Sequence, residues 1–173
     1  RKMSAPAMTS AMARQISRYA PHTPAVIGNF VDESELERHR DRSPRTGPLR
    51  IAFVGFLSLL KQPALLLDAF ATLRRKGVDA RLDFIGEGPQ RGVLEAAIAA
   101  HGLAESVTLH GHLREPFRVV ARADVMAIPS RSEGLSRAAL EALHLGVPCV
   151  LRDTDGNGEL IRPGINGMLF RDD

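Results

Sequence analysis

Residues 127–150 run A-I-P-S-R-S-E-G-L-S-R-A-A-L-E-A-L-H-L-G-V-P-C-V. Val125, Met126, Ala127 and Ile128 form a short apolar run that Pro129 stops, which predicts a strand buried on both faces of a parallel sheet. A polar turn from Ser130 to Gly134 follows. From Ser136 the apolar positions Ala139, Leu140, Leu143 and Leu145 recur near helical spacing, and Gly146 stands where a left-handed C-terminal cap is wanted. Val147 to Val150 returns the chain to a strand. Strand, turn, helix and strand in this order form the repeating unit of a doubly wound α/β sheet.

This unit opens a helix near Gly134 at the carboxyl edge of a parallel strand. The unpaired amides and positive dipole end of such a helix attract phosphate. Glu133 stands in the turn before it, and Glu141 lies ~8 Å along it from Ser136 at ~1.5 Å per residue. Two carboxylates that accept hydroxyl hydrogen bonds, with a diphosphate between them, match the proportions of a nucleotide sugar. Spacing alone is weak, because Glu87 and Glu95 repeat it. On spacing alone, a helix-entry acid at Glu133 and a solvated acid at Glu141 are the better reading.

Outward from this stretch the same alternation continues. Upstream, Ile51 to Val54 predicts a first strand, and Pro63 starts a helix that Gly77 ends. Leu82, Phe84 and Ile85 form a second strand, and the turn Gly86 to Pro89 leads into a helix that Gly102 caps, with Pro89 at its first position. Val107 and Leu109 mark a third strand, Pro116 to Ala123 a short helix, and, downstream, Met168 to Phe170 a last strand after Asn166-Gly167. About six parallel strands in a Rossmann-like sheet of order 3-2-1-4-5-6 are expected, with ligands outside the carboxyl strand ends. The turns Gly55 to Lys61, Gly86 to Pro89, Gly111 to Leu113, Ser130 to Leu135 and Asp153 to Glu159 all fall on that edge. Before Leu49, a helix capped by Ser4 carries Ala5, Met8, Met12 and Ile16, with Pro6 in its first turn and Pro21 and Pro24 closing it. Val26 and Ile27 make a very short strand, and Asp32 to His39 a short helix.

A chain of 173 residues supports one full core. With 44% hydrophobic residues and a net charge of +3 it is neither disordered nor striped with basic charge, so nucleic acid is not an expected partner. Its one cysteine, Cys149, forms no internal disulfide and makes the cytosol the default compartment. No apolar run reaches the ~18 residues of a membrane span.

Several constellations carry little. Gly86 and Gly88 lack the third glycine of a dinucleotide fingerprint, since Arg91 holds its place. Asp153-Thr154-Asp155 has the form of a divalent-metal site, and His110 and His112 offer two nitrogens without a nearby third ligand. Ser136 and His144 are too far apart along a helix to pair as a hydrolase.

The pattern P-S-x-S-E-G-L-x-x-x-x-L-E-A-L-x-x-G-V-P-x-V closely resembles the signature of the retaining GT-B glycosyltransferases of family 4. The turn V-G-F-L-S-L-L-K-Q resembles that family's V-G-R-L-x-x-x-K-G, with Phe56 at the arginine, Gln62 at the glycine and Lys61 kept. G-E-G-P matches its G-x-G-P turn, and the run from Thr154 to Phe170 matches its G-G-x-P-E-L-I-x-x-G-x-N-G-x-L segment, with Gly158 replacing the proline. The resemblance extends from Val26 to Phe170. It implies a donor-binding domain over residues 49–173, preceded by a hinge segment over 1–48, with the N-terminal acceptor domain absent.

The implied reaction moves a sugar from a UDP-, GDP- or ADP-sugar to a hydroxyl acceptor with retained configuration, in polysaccharide, lipopolysaccharide or glycolipid synthesis, with no cofactor and no obligatory metal. In that reading Lys61 and the helix end at Ser136 stabilise the departing diphosphate, Glu133 orients the sugar and Glu141 holds the ribose. Gly55, Gly86, Gly88 and His112 wall the nucleotide, Gly134 and Leu135 complete the turn, and the amides from Gly156 to Gly158 face the sugar, with Glu159 capping the next helix. Arg131 or Arg137 would have to compensate for Phe56. The sugar or lipid-linked acceptor belongs to the other domain, so this piece alone is expected to be nearly inactive. The intact enzyme is expected in the cytoplasm, against the inner membrane if peripheral. Two other readings are a non-catalytic sugar-nucleotide-binding domain, motivated by Phe56, and a sugar-nucleotide epimerase of the same architecture.

Overall fold

The computed structural model describes residues 6–20, 22–41, 43–154 and 156–172. Six strands, β1 (Leu49–Val54), β2 (Ala80–Ile85), β3 (Val107–Gly111), β4 (Val125–Ile128), β5 (Cys149–Arg152) and β6 (Gly167–Phe170), pair in parallel in the order β3-β2-β1-β4-β5-β6. This is the doubly wound order expected from the alternation of periods. Its switch point lies between β1 and β4.

Side chains alternate across the sheet and divide the core in two. Ile51, Phe53, Leu82 and Phe84 meet Leu67 and Phe70 of α3 (Pro63–Arg75) and Leu94 of α4 (Arg91–Ala100) on one face. The Phe53 and Phe84 rings pack tilted, with centroids 5.4 Å apart. Ala52, Met126, Ile128 and Leu151 face the other way. They meet Leu36 of α2 (Glu33–His39), Val120 of α5 (Phe117–Val120), and Ala139 and Ala142 of α6 (Arg137–His144). Each large side chain buried here stabilises the fold by ~1.5–3 kcal/mol.

Three local expectations are corrected. Strand β4 is less evenly buried than expected: Met126 and Ile128 are fully buried on one face, whereas Val125 and Ala127 on the other are only partly buried against the cluster beneath α3. The first turns also differ, because α4 begins at Arg91 rather than Pro89, its entry pinned by bonds from Leu57 N–H to the Glu87 carbonyl (2.8 Å) and from Gln90 N–H to the Leu57 carbonyl (2.9 Å). At the start of the chain Ser4, Ala5 and Pro21 lie outside the described residues. Pro6 and Met8 precede the helix, Ala7 bridges Val26 in parallel, and α1 (Ser10–Ile16) is capped by Thr9, whose hydroxyl accepts from Met12 N–H at 3.1 Å. The extended pairing of Ala7 holds the helix back to Thr9.

Candidate functional site

Five turns that are far apart in sequence form one row along the carboxyl edge of the sheet, each tied to the next through its backbone. Gly86 N–H donates to the Gly111 carbonyl (2.8 Å) and Leu57 N–H to Glu87. Arg131 N–H donates to Leu60 (2.9 Å), and Gly156 N–H to Glu133 (3.4 Å). Main-chain hydrogen bonds thus join each turn to its neighbour.

Over β1, β2 and β3 the row forms a shallow cleft of about 320 Å³, lined by Gly55, Phe56, Gly86, Glu87, His112 and Pro116. Three residues expected to wall the nucleotide, Gly55, Gly86 and His112, come together here. Gly86 has no choice of side chain: its φ is +141°, and a Cβ would sit 2.0 Å from the Gly55 carbonyl oxygen. Gly88 is not in the lining, because it backs onto the main chain of Leu57. Phe56 is 60% exposed, and with no charge in its ring it leaves this side of the cleft apolar.

Over β4 the row is built from side-chain chemistry. Ser130 is fully buried and its hydroxyl donates to Glu133 Oε1 at 2.8 Å. The same carboxylate oxygen takes the ammonium of Lys61, from 72 residues earlier. The Glu133 side chain is 10% exposed and that of Lys61 26%, so this pair is screened far less than a surface one. Glu133 and Lys61, the two residues expected to do the chemistry, thus meet directly. Ser130 is the unexpected third member, and the available signal is its place in the P-S-x-S-E pattern, a hydroxyl three residues before an acid in a turn.

Helix α6 opens beside this pair. Ser136 is its N-cap, accepting from Ala139 N–H at 3.3 Å, so its hydroxyl is already engaged while the first-turn amides remain. Arg137 at the first helical position donates to Glu141 Oε1 at 2.9 Å. Burial of Glu141 pushes its pKa up, and the hydrogen bond and charge of Arg137 pull it back only in part. Glu141 is therefore a partly desolvated acceptor rather than the solvated acid that spacing alone favours. Ala139, Ala142 and Leu145 are the fully buried positions of this stretch, with Leu140 and Leu143 half-buried, and Gly146 supplies the left-handed cap at φ +81°.

The last turn closes the row against Gly134. A Cβ on Gly156 would lie 1.6 Å from the Gly134 carbonyl oxygen, and one on Gly134 would lie 2.4 Å from Met8 Cε. Leu135 contributes its carbonyl to the Asn29 side-chain amide at 3.4 Å. Glu159 caps a helix, but not the one expected. It lies within α7 (Asn157–Leu160), and its carboxylate accepts from Ser10 and Ala11 N–H at 3.2 and 2.9 Å, at the start of α1. Asp155 lies outside the described residues, and Asp153 is bound to the Arg171 guanidinium at 2.7 Å. His110 Nε2 lies 2.6 Å from Asp83 Oδ1, whereas His112 is exposed in the cleft. No group of three or more metal-type ligands occurs among the described residues.

The loop carrying Lys61 holds a second feature, at the position where the family pattern has glycine. Gln62 is the only non-glycine residue with positive φ among those described, at +50°. This left-handed conformation costs a residue with a Cβ ~1 kcal/mol or more. Its side-chain oxygen accepts from Nη2 of the buried Arg152 at 2.5 Å.

The described residues contain no helix long and apolar enough to cross a membrane. Comparison with known proteins places this architecture. The chain is 31% identical over 121 residues to an alpha-D-kanosaminyltransferase of Streptomyces kanamyceticus, covering 69% of this chain and 31% of that protein. It is 33% identical over 145 residues to a glycogen synthase of Mycobacterium tuberculosis, covering 83% of this chain and 35% of that protein. The chain thus spans about a third of the length of these relatives. In structure it superimposes on the apo form of the lipopolysaccharide outer core galactosyltransferase WaaB with a TM-score of 0.80 at 25% identity, over 97% of this chain and 48% of that one. Anabaena Alr3699/HepE in complex with UDP and glucose shares the fold, with a TM-score of 0.80 at 22% identity, over 97% of this chain and 49% of the other. The model of the family "Glycosyl transferases group 1" matches residues 35–173, which include all five turns of the site, and the chain belongs to that family.

Proposed function

We propose that this chain is the donor-binding domain of a retaining glycosyltransferase, which takes its sugar from a nucleoside diphosphate. The observation that carries this reading is the Lys61–Glu133 pair beside the open amino end of α6. A cation from the loop after β1, the free amides of α6 and a largely buried carboxylate, brought together at one helix end, suit a ligand that is anionic at one end and rich in hydroxyls at the other.

The apolar cleft at Phe56 takes the base, and the amides of α6 with Lys61 take the diphosphate. Glu141 accepts from the ribose hydroxyls and Glu133 from the sugar. When the bond from the anomeric carbon to the diphosphate breaks, both electrons leave with the phosphate oxygen, where Lys61 and the helix dipole stabilise them. The acceptor oxygen then bonds to the anomeric carbon as its O–H bond breaks and the proton passes to the departing phosphate oxygen. The ammonium and the helix end supply the positive charge for this step, so no metal is assigned to it. Residues 1–48 act as the hinge segment and the acceptor is held outside residues 49–173. Residues before Leu49 still reach the core, where Leu36 is buried.

Titration calorimetry with uridine, guanosine and adenosine diphosphates and their sugars, without added metal, tests this. Uridine is the first to try, since Alr3699/HepE was solved with UDP. Saturable binding to one base, weakened by Glu141→Ala, supports the reading. No binding across the panel by the folded chain contradicts it. The exposed Phe56 favours one second reading, a domain that holds a sugar nucleotide without transferring its sugar. Under that reading Phe56→Arg gains no donor affinity.

A further inference from the structure

We infer that Arg152 is a positioning residue for the donor site, fixing the Lys61 loop against the Glu133 turn. The inference rests on the proposed role of the Lys61–Glu133 pair in binding a nucleotide sugar. Its geometric basis does not.

Arg152 ends β5, and its guanidinium is buried where three segments converge. Nε donates to the carbonyl of Pro129 at 3.1 Å, Nη2 donates to Gln62 Oε1 at 2.5 Å, and Nη1 is bound to Asp172. The Phe170 ring lies beneath it, with the guanidinium carbon 5.2 Å from the ring centroid. Two of these contacts are adjacent in sequence to the site. Pro129 precedes Ser130, which holds Glu133, and Gln62 follows Lys61, which pairs with it. One planar fork thus spans the two chain segments that carry the two members of the ion pair, and a fixed donor geometry sets their separation.

Gln62 makes the arrangement specific. At φ +50° and ψ +48° it occupies the left-handed region at the N-cap of α3, and its side chain makes no capping bond to that helix. Glycine would take this conformation without help. A glutamine there needs an external contact to favour it, and the buried guanidinium supplies one. If the contact is lost, Gln62 relaxes toward negative φ and swings the preceding Lys61 away from Glu133. The plainer role for Arg152 is to anchor the end of the chain through Asp172, whose side chain is 67% exposed. That role predicts no coupling to Gln62.

The chain has three lysines, Lys2, Lys61 and Lys76, so reductive methylation with a carbon-13 label gives few, assignable methyl resonances in the folded protein. In Arg152→Met the Lys61 resonance is expected to move to the position it takes in Glu133→Gln, with that of Lys76 unmoved. The dissociation constant for the nucleotide sugar found by calorimetry should rise about tenfold. Adding Gln62→Gly should bring both values back toward wild type. Asp172→Asn should change neither. Should Arg152→Met fail to fold, Gln62→Met removes the same contact from the half-buried side, and the same Lys61 shift is expected. A wild-type Lys61 resonance in Arg152→Met or Gln62→Met, or no rescue by Gln62→Gly, overturns the inference. The resonance reads the pair without ligand, so a chain that binds no nucleotide counts against the proposed function and leaves this test standing.

Discussion

The carboxyl edge of the sheet has two halves built on different principles. Over β1, β2 and β3 the turns are held by backbone packed on backbone, as at Gly86 against Gly55, and the resulting cleft is apolar around Phe56. Over β4 and β5 charge and hydroxyl groups are added to the backbone bonds, with Glu133 gripped by Lys61 and Ser130, and Glu141 by Arg137. The first half is mostly apolar, with Glu87 and His112 at its margin, and suits a flat base. The second has paired charges in a half-buried setting and suits a diphosphate and its sugar. A nucleotide sugar has the same division along its length.

The comparison breaks most severely at its most rigid point. Gly86→Ala drives a Cβ to 2.0 Å from the Gly55 carbonyl. It is expected to cost about 3 kcal/mol or more and to lower Tm by roughly 6–12 °C in a thermal melt. The charged half breaks through function instead. Lys61→Ala removes the cation that faces the diphosphate and leaves Glu133 with Ser130 alone. Donor affinity should fall about 100-fold, roughly 2.7 kcal/mol, with a much smaller change in Tm.

The apolar half contributes less to binding. Phe56→Ala should weaken nucleotide and nucleotide sugar alike by about tenfold, the scale of one lost base-to-ring contact. The smallest effect concerns Glu141, whose pKa burial raises above the ordinary glutamate value of 4.5. Its contribution to fold stability is fully present below about pH 4.5 and is lost as the pH rises through the raised value. Donor binding through the ionised carboxylate runs the other way and strengthens over the same rise. In Glu141→Gln both dependences should flatten, and at neutral pH affinity should fall about fivefold, close to 1 kcal/mol.

The two halves also differ in how far the sequence reveals them. The alternation of strand and helix periods leads directly to the order β3-β2-β1-β4-β5-β6, because doubly wound sheets admit few topologies. Gly146 marks the end of α6 through local capping chemistry, which a short window contains, whereas the start expected near Gly134 falls at the Ser136 cap. Glu133 and Lys61 are each visible as candidates, but their contact is not. It depends on the backbone bond between Arg131 and Leu60 and on a register that only the assembled sheet sets.

Residues whose roles are purely tertiary stayed silent. Arg152 ends a buried strand as any strand-end residue does, and the glycine that the family pattern has at Gln62 hints at the left-handed backbone but not at the guanidinium that holds it. Glu159 caps α1 rather than the helix next to it in sequence, a role that local capping signals do not show because this cap spans 149 residues. The burial assigned to β4 was too complete for the same reason: an apolar run does not say which of its faces a helix covers.

The most direct test of the divided site measures one ligand against its own fragment. The affinities of the nucleotide sugar and of the bare nucleoside diphosphate are compared by calorimetry in wild type, Glu133→Gln and Phe56→Ala. Glu133→Gln should abolish the increment that the sugar adds while holding the bare nucleotide within about twofold, and Phe56→Ala should lower both ligands equally. Equal losses for both ligands in Glu133→Gln, or a loss confined to the sugar in Phe56→Ala, would contradict the division.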